Sequence, residues 1–492
     1  MNEQQPIQQE NQIPKSTESL HKGLKRAHLI SITLALILII GGTAAVLLQN
    51  KNTNSIDQEK QQESAKSENL SIAAQLAAKY PNDVIDTQSF DCAPRTDDEW
   101  YRTDHTLVVD PNNADVMYVS IEWKGVFKST DGGKTWQEKT NGILAYARSD
   151  DKSKRCFGEY PTIKINPADS NHLILVTSGG GGGYLSLTEP NSQTGGIYQS
   201  FDGGDNWLLA TGDNMNLYAT DAVFSSDGTS IFYATSSSPA SWTDADQTKK
   251  YVDKGLILTT NDKAKTWTEL PTGTGERTSV TNIHINPNDP SVLIAPTYSA
   301  ERTSADGSGT GISDGKNLDV TQLGILTSQD GGETWSAVAG STNHAVVSSF
   351  VSKQIFNNQF FVISNKSTED PFSYVTVDGA KTLTKTKSLN TVAYDPHDST
   401  GKHMLGFSSI SIGPESQNLT LWESNDAGLS WSRSGSLPTE ITNPNDRKTR
   451  ISKIVWHPTD KNTIFASGAG GHVWKSNDSG NTWQTLLNVD KL

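Results

Sequence analysis

Seven aspartates recur in nearly the same eight-residue setting, Ser/Thr-x-Asp-x-Gly-x-Thr-Trp, and carboxylates are groups that can bind metal ions or act in acid–base catalysis. A catalytic group needs an environment of its own, which seven equivalent settings do not supply. We therefore interpret these aspartates as turn-forming residues and look elsewhere for chemistry. The repeat aspartates are Asp131, Asp202, Asp262, Asp330, Asp378, Asp426 and Asp478.

The first copy of this repeat, residues 129–136, is typical of a hairpin turn. Asp131 can accept hydrogen bonds from N–H groups just beyond it, and the two glycines that follow permit positive φ. The closing Trp offers a large apolar face for packing between sheets. The third copy has Ala264 at a glycine position, and the fifth has Ala380 there and Leu383 in place of Trp. Six copies end in Trp, namely Trp136, Trp207, Trp267, Trp335, Trp431 and Trp483.

The spacing of the repeats predicts the architecture. Successive aspartates lie roughly 50 to 70 residues apart, a period typical of one small sheet per repeat. Upstream of most copies, a pair such as Asp110-Pro111 or Asn166-Pro167 separates two β-rich runs, and proline ends a strand. Each unit therefore reads as strand A, proline turn, strand B, loop, strand C, repeat, strand D. Residues 81–492 are predicted to form an all-β, seven-bladed β-propeller of four-stranded antiparallel blades.

The eight-residue motif resembles the Asp-box, or BNR, repeat of sialidases, sortilin-type receptors, xyloglucan-cleaving endoglucanases and photosystem II assembly factors. The resemblance covers residues 103–487 and implies the propeller fold. It does not imply one activity, because these families share the repeat and not a function. The Arg-Ile-Pro segment that accompanies the repeats of sialidases does not occur in this sequence.

Candidate ligand-binding residues lie in the long connections of the first four units. The repeats are C–D turns and mark one face of a propeller, so the B–C loops and crossovers lie on the opposite face, where function is expected. Those connections are longer in units one to four than in units five to seven. The candidates are Tyr146, Arg148, Tyr184, Trp242, Asp244, Asp246, Tyr251, Glu301, Arg302 and Asp306.

Each candidate also has a structural interpretation. Trp242 could stack on a sugar ring or a partner's side chain, or it could cap its own blade. Asp244 and Asp246 lack the rest of a calcium loop and read better as solvated acids. The glycine run 179–183 is followed by no Lys-Ser/Thr, so we expect a flexible loop there rather than a phosphate loop. We expect no cofactor and no metal, and no catalytic residue can be assigned.

The N-terminus predicts a membrane anchor. Residues 27–48 are almost entirely apolar and long enough to span a bilayer. Basic residues precede them, so residues 1–26 are predicted to be a cytoplasmic tail and the C-terminal bulk extracytoplasmic. A cleaved signal peptide is the alternative, because Thr43-Ala44-Ala45 offers small residues. Residues 49–80 read as a flexible polar linker.

Composition restricts the partners. The net charge of −14 argues against nucleic acid as a partner. The 2 cysteines, Cys92 and Cys156, both fall on the predicted outer side, where a disulfide is possible. We therefore expect a membrane-anchored module that binds or assembles an extracytoplasmic protein, peptide or glycan. The alternative is a glycoside hydrolase of the xyloglucanase-like or sialidase-like class, which would need a pair of loop carboxylates.

Overall fold

The structure is a computed structural model. The predicted tail, apolar segment and linker (1–26, 27–48 and 49–80) lie outside the residues that it describes, as does Cys92. Across the part of the chain that is described, no helix combines the length and apolarity that a bilayer crossing requires. The described residues are 107–121, 124–143, 146–147, 155–156, 162–177, 196–210, 219–235, 255–273, 278–299, 324–338, 346–351, 356, 359–364, 372–379, 381–389, 391–408, 420–439, 441, 451–468 and 471–488.

The described chain folds into antiparallel sheets that succeed one another along the sequence, and we number them in that order. Sheet one contains β1 (Leu107–Val109), β2 (Met117–Ile121), β3 (Gly125–Ser129) and β4 (Gln137–Glu138). A two-stranded ribbon follows, with β5 (Tyr146–Ala147) and β6 (Arg155–Cys156). Sheet two contains β7 (Thr162–Asn166), β8 (Asp169–Thr177), β9 (Gly196–Ser200) and β10 (Leu208–Leu209). Sheet three contains β11 (Ala219–Phe224), β12 (Ile231–Thr235), β13 (Ile257–Thr260) and β14 (Thr268–Leu270).

The remaining sheets continue the pattern. Sheet four contains β15 (Thr278–Val280), β16 (His284–Asn286), β17 (Asp289–Ser299), β18 (Gly324–Ser328) and β19 (Ser336–Ala337). Sheet five contains β20 (Val346–Val351), β21 (Phe360–Ser364), β22 (Phe372–Thr376) and β23 (Thr384–Thr386). Sheet six contains β24 (Thr391–Tyr394), β25 (Met404–Ser408), β26 (Thr420–Ser424) and β27 (Ser432–Arg433). Sheet seven contains β28 (Ile451–Trp456), β29 (Ile464–Gly468), β30 (Val473–Ser476) and β31 (Gln484–Leu487).

The predicted count of seven four-stranded blades is wrong, because six sheets have four strands and sheet four has five. In sheet four the first strand is split into β15 and β16, which both pair with β17. Pro296 lies opposite the break. Its carbonyl accepts the N–H of Thr281 at 3.0 Å, but proline has no N–H with which to return the bond. The ladder between the first strand and β17 is therefore interrupted there.

The hydrophobic core is divided among the spaces between neighbouring sheets. Tyr118 of sheet one packs with Leu173 of sheet two, and comparable clusters fill every later junction between consecutive sheets. Leu107 of sheet one also packs with Phe465 and Val473 of sheet seven, which joins the first sheet to the last. The first strands of neighbouring sheets lie against one another, whereas most described side chains of the last strands are exposed. The fold is therefore an all-β propeller with the first strand of each sheet innermost.

Candidate functional site

The seven repeats connect the third and fourth strands of their sheets, as predicted. In the first, the hydroxyl of Ser129 donates to Oδ1 of Asp131 at 2.9 Å and accepts the N–H of Gly133 at 2.8 Å. Asp131 then accepts the N–H of Thr135 on Oδ1 at 2.9 Å and its hydroxyl on Oδ2 at 2.7 Å. Both carboxylate oxygens of this aspartate are therefore occupied in closing the turn.

The carboxylate at the centre of each turn makes equivalent bonds in the other six repeats. The divergent third and fifth copies keep them, with Thr266 and Thr382 as the donors. Hydrogen bonds from the threonine hydroxyl, ahead of those from the backbone, lower the pKa of Asp131 and Asp330 to about 2. Each of these carboxylates therefore finds its hydrogen-bond donors within its own turn.

The repeat tryptophans pack against the preceding sheet. Trp207 is 1% exposed within the cluster of sheets one and two, and its Nε1–H donates to the carbonyl of Lys139 at 2.7 Å. Trp267 and Trp483 likewise donate to carbonyls of the sheet before their own. Leu383, which replaces Trp in the fifth copy, lies in the cluster of sheets four and five. The closing side chain thus joins each turn to its neighbour.

Acid is expected to weaken these turns. Because the folded-state pKa of Asp330 is lowered from 3.8 to about 2, its stabilisation is present above pH 4 and is lost as the pH falls through 2. We expect the melting temperature to fall between pH 5 and pH 2.5, and to fall less in Asp330→Asn than in the wild type. The matched control is Glu333→Gln, which removes one exposed charge from the same turn. Equal acid sensitivity of the two variants, measured by circular dichroism, would contradict this prediction.

The proline turns between first and second strands lie at the same ends of the sheets as the repeats. Asn112 Nδ2 donates to the carbonyl of Pro167 at 3.2 Å, which connects the turns of sheets one and two. Asn166 Nδ2 donates to Gly228 O at 3.0 Å, and Gln359 Nε2 donates to Gly401 O, connecting later sheets. This face is therefore joined from turn to turn by polar contacts.

The opposite face carries the long connections. They join the second and third strands of sheets two, three and four, and span residues 178–195, 236–256 and 300–323. The corresponding connection is only 122–124 in sheet one and 469–472 in sheet seven. Since second-to-third strand connections leave the sheets at the end away from the repeats, the three long segments emerge on one face over consecutive sheets.

Most predicted site residues fall on these connections, outside the described residues. Tyr146 lies on β5, paired with Cys156 on β6, so the crossover between sheets one and two contains a short ribbon. The possible bond between Cys92 and Cys156 stays a prediction. The candidates outside the described residues are Arg148, Tyr184, Trp242, Asp244, Asp246, Tyr251, Glu301, Arg302 and Asp306.

Sequence reasoning missed two histidines, each held between side chains of the flanking strands. In sheet two, His172 on β8 contacts Asn166 Nδ2 through Nδ1 at 3.1 Å and Gln199 Oε1 through Nε2 at 2.8 Å. In sheet six, His403 just before β25 contacts Asp395 Oδ2 through Nδ1 at 2.7 Å and Glu423 Oε1 through Nε2 at 3.0 Å. We name these the His172 bridge and the His403 bridge.

The two bridges occupy equivalent positions but differ in charge. In each bridge, one partner of the histidine is the residue before the proline of an Asx-Pro turn. The other partner lies on the third strand of the sheet. Burial lowers the pKa of His172 to about 4, consistent with a neutral ring between two amides. His403 lies between two carboxylates, and its side chain is 24% exposed. Aligning the proline turns of the two units would have revealed the histidines.

Comparison with known proteins identifies a fold and no family. No family model matches the sequence, and no curated protein matches it. The structure is similar to the GH74 xyloglucanase from Xanthomonas campestris, with a TM-score of 0.51 and 12% identity over 78% of this chain, and it spans 54% of that enzyme. It is also similar to YCF48 from Cyanidioschyzon merolae, with a TM-score of 0.42 and 15% identity over 76% of this chain and 96% of that one. At 12% identity the likeness to the xyloglucanase shows the fold alone, and the chain is an all-β propeller of antiparallel sheets.

Proposed function

We propose that this chain is a membrane-anchored, extracytoplasmic binding or assembly module that takes a protein, peptide or glycan on the face opposite the repeats. The observation that carries the proposal is the emergence of three long connections, 178–195, 236–256 and 300–323, from one face of three consecutive sheets. Binding residues are commonly placed on loops that a rigid scaffold positions. The apolar segment 27–48 would hold this scaffold at the membrane.

The face that carries the repeats supports the same assignment. The repeat aspartates are committed to the fold, since each uses both carboxylate oxygens within its own turn, as in Asp131 and Asp478. Turn-to-turn bonds such as Asn166 to Gly228 occupy further polar groups there. We therefore assign ligand contacts to the connections, where Trp242 would stack on the ligand and Arg302 would supply charge.

Glycoside hydrolysis is the alternative, and the fold shared with the GH74 xyloglucanase is the observation that favours it. Hydrolysis of this kind needs two carboxylates about 5 to 9.5 Å apart. Asp244, Asp246, Glu301 and Asp306 on the long connections are the acids that could supply such a pair.

Shortening the connection 300–323 tests the proposal. The full chain is assayed in washed membranes against a polysaccharide panel that includes xyloglucan and against a displayed peptide library. We expect a ligand that binds the wild type at least about tenfold more tightly than the variant, a difference of about 1.4 kcal/mol, with no release of reducing ends. The matched control shortens the plainer connection 409–419 of sheet six and should bind like the wild type.

The other outcomes are equally decisive. Release of reducing ends that Glu301→Ala or Asp306→Ala abolishes would support the hydrolase instead. Binding that neither shortened variant weakens would place the ligand away from these connections. Loss of the protein from membranes on carbonate washing would contradict the anchor.

A further inference from the structure

We propose that the His403 bridge is a proton-dependent tie, in which a doubly protonated imidazole holds together three strands of sheet six beside sheet seven. Asp395 follows β24, His403 precedes β25 and Glu423 lies on β26, so the bridge crosses the sheet from the first strand to the third. Carboxylate oxygens only accept hydrogen bonds, and both imidazole nitrogens lie within 3.0 Å of one. Both nitrogens donate only when the ring is an imidazolium.

The His172 bridge is the neutral counterpart in the same molecule. Asn166 Oδ1 accepts the N–H of Ala168 at 2.9 Å, which directs its Nδ2–H₂ toward Nδ1 of His172. Gln199 accepts from Nε2 of His172, and its own Nε2 donates to Lys263 O at 3.2 Å. A neutral ring with its proton on Nε2 therefore satisfies every partner of this bridge.

Sheet six repeats this geometry with carboxylates in place of the amides. Asp395 Oδ1 accepts the N–H of His397 at 2.8 Å, as Asn166 does for Ala168, and the other oxygen points at His403. Loss of the proton from either nitrogen of His403 would leave a lone pair facing a carboxylate oxygen. One charge-assisted hydrogen bond would become a repulsive contact.

The other titratable groups near His403 have hydrogen-bond partners of their own. Burial opposes ionisation of Asp398, but N–H groups that include that of His403 outweigh it and hold its pKa at about 2. His397 donates Nε2–H to the carbonyl of His457 at 2.9 Å, and Lys402 donates its N–H to Asp398. Burial lowers the pKa of His457, whose Nδ1 accepts the N–H of Asp460 at 3.0 Å.

The bridge also lies at the junction between sheets six and seven. The ring of Trp456 on β28 meets the His403 ring edge-on at a centroid distance of 5.5 Å. The bond from His397 to His457 crosses the same junction. Because the tie requires the protonated histidine, it stabilises the junction at lower pH and is lost as the pH rises.

Amide hydrogen exchange on the full chain tests this inference. Protection of the peptide 391–408 is measured from about pH 6 to pH 9, after correction for the intrinsic exchange rate, in the wild type and in Asp395→Asn/Glu423→Gln. The double variant copies the side chains of the His172 bridge. We expect wild-type protection to fall by about tenfold more than that of the variant, a difference of about 1.4 kcal/mol in the free energy of opening.

The peptide 162–177, which contains His172, is the internal control. It should keep a flat corrected profile over this range in both proteins, because His172 is already neutral. Parallel pH profiles of peptide 391–408 in wild type and variant would overturn the proposal. If the double variant does not fold, Glu423→Gln alone tests the proposal. It places a neutral acceptor at Nε2 of His403 and should reduce the pH dependence of protection in peptide 391–408. An unchanged profile in that single variant would equally refute the tie.

Discussion

Gly142→Ala is expected to be among the most destabilising single-methyl additions in the described chain. Gly142 has a φ of +91°, and an added Cβ would overlap the carbonyl oxygen of Trp207 and lie 3.2 Å from its backbone nitrogen. The chains are held close there, since the N–H of Trp207 donates to Asn141 O at 2.8 Å. Backbone cannot rotate away as a side chain can, so strain adds to the cost of a left-handed residue. We expect a loss of about 3 kcal/mol or more in unfolding free energy by urea denaturation.

Gly331→Ala is the matched control. Its φ is +72°, but an added Cβ would meet nothing within 4 Å. The equivalent position in other repeats already holds Ala427 and Ser479, at φ values of 67° and 56°. The substitution should therefore cost only about 1 kcal/mol. Equal losses in Gly142→Ala and Gly331→Ala would show that the left-handed backbone, rather than the contact with Trp207, sets the effect.

Trp207→Ala is expected to cost about 3 to 5 kcal/mol, as for other large-to-small changes in a core. The side chain is 1% exposed and packs with Tyr118, Ile143 and Leu173 across the junction of sheets one and two. Its loss opens a cavity and removes the bond from Nε1 to the carbonyl of Lys139. Urea denaturation followed by circular dichroism measures the change.

Trp335→Leu provides the comparison for the tryptophan. Trp335 donates Nε1–H to Gly332 O within its own turn, so no bond between sheets is lost. Leu383 already fills the equivalent position between sheets four and five. We expect a smaller loss, about 1 to 2 kcal/mol. A larger loss in Trp335→Leu than in Trp207→Ala would contradict the importance of the buried bond between sheets.

The predicted fold fails where it depends on pairing between distant segments. The sequence analysis takes four strands per unit as uniform, yet sheet four has five, because Pro296 cannot return the hydrogen bond of Thr281. The proline is visible in the sequence, and proline inside a strand signals a break. Its position opposite Thr281, however, follows from the register of β15 on β17.

The candidate site, like the fold, was only partly predictable from the sequence. Chain order and turn geometry predict which face bears the long connections, and the bounds of β8, β9, β12, β13, β17 and β18 are consistent with that prediction. The ligand-binding residues assigned to those connections stay predictions. The His403 bridge was missed because Glu423 lies on β26, 20 positions after His403, and only the pairing of β25 with β26 brings the two together.

By itself, the sequence determined the turns. Their bonds join residues two to four positions apart, as from Ser129 and Thr135 to Asp131, so local chemistry is sufficient to specify them. Only the tertiary structure decided that Trp207 packs on the preceding sheet and that His403 lies between two carboxylates. Those contacts depend on how strands pair and how sheets pack. They join residues that are far apart in the sequence, so no single segment specifies them.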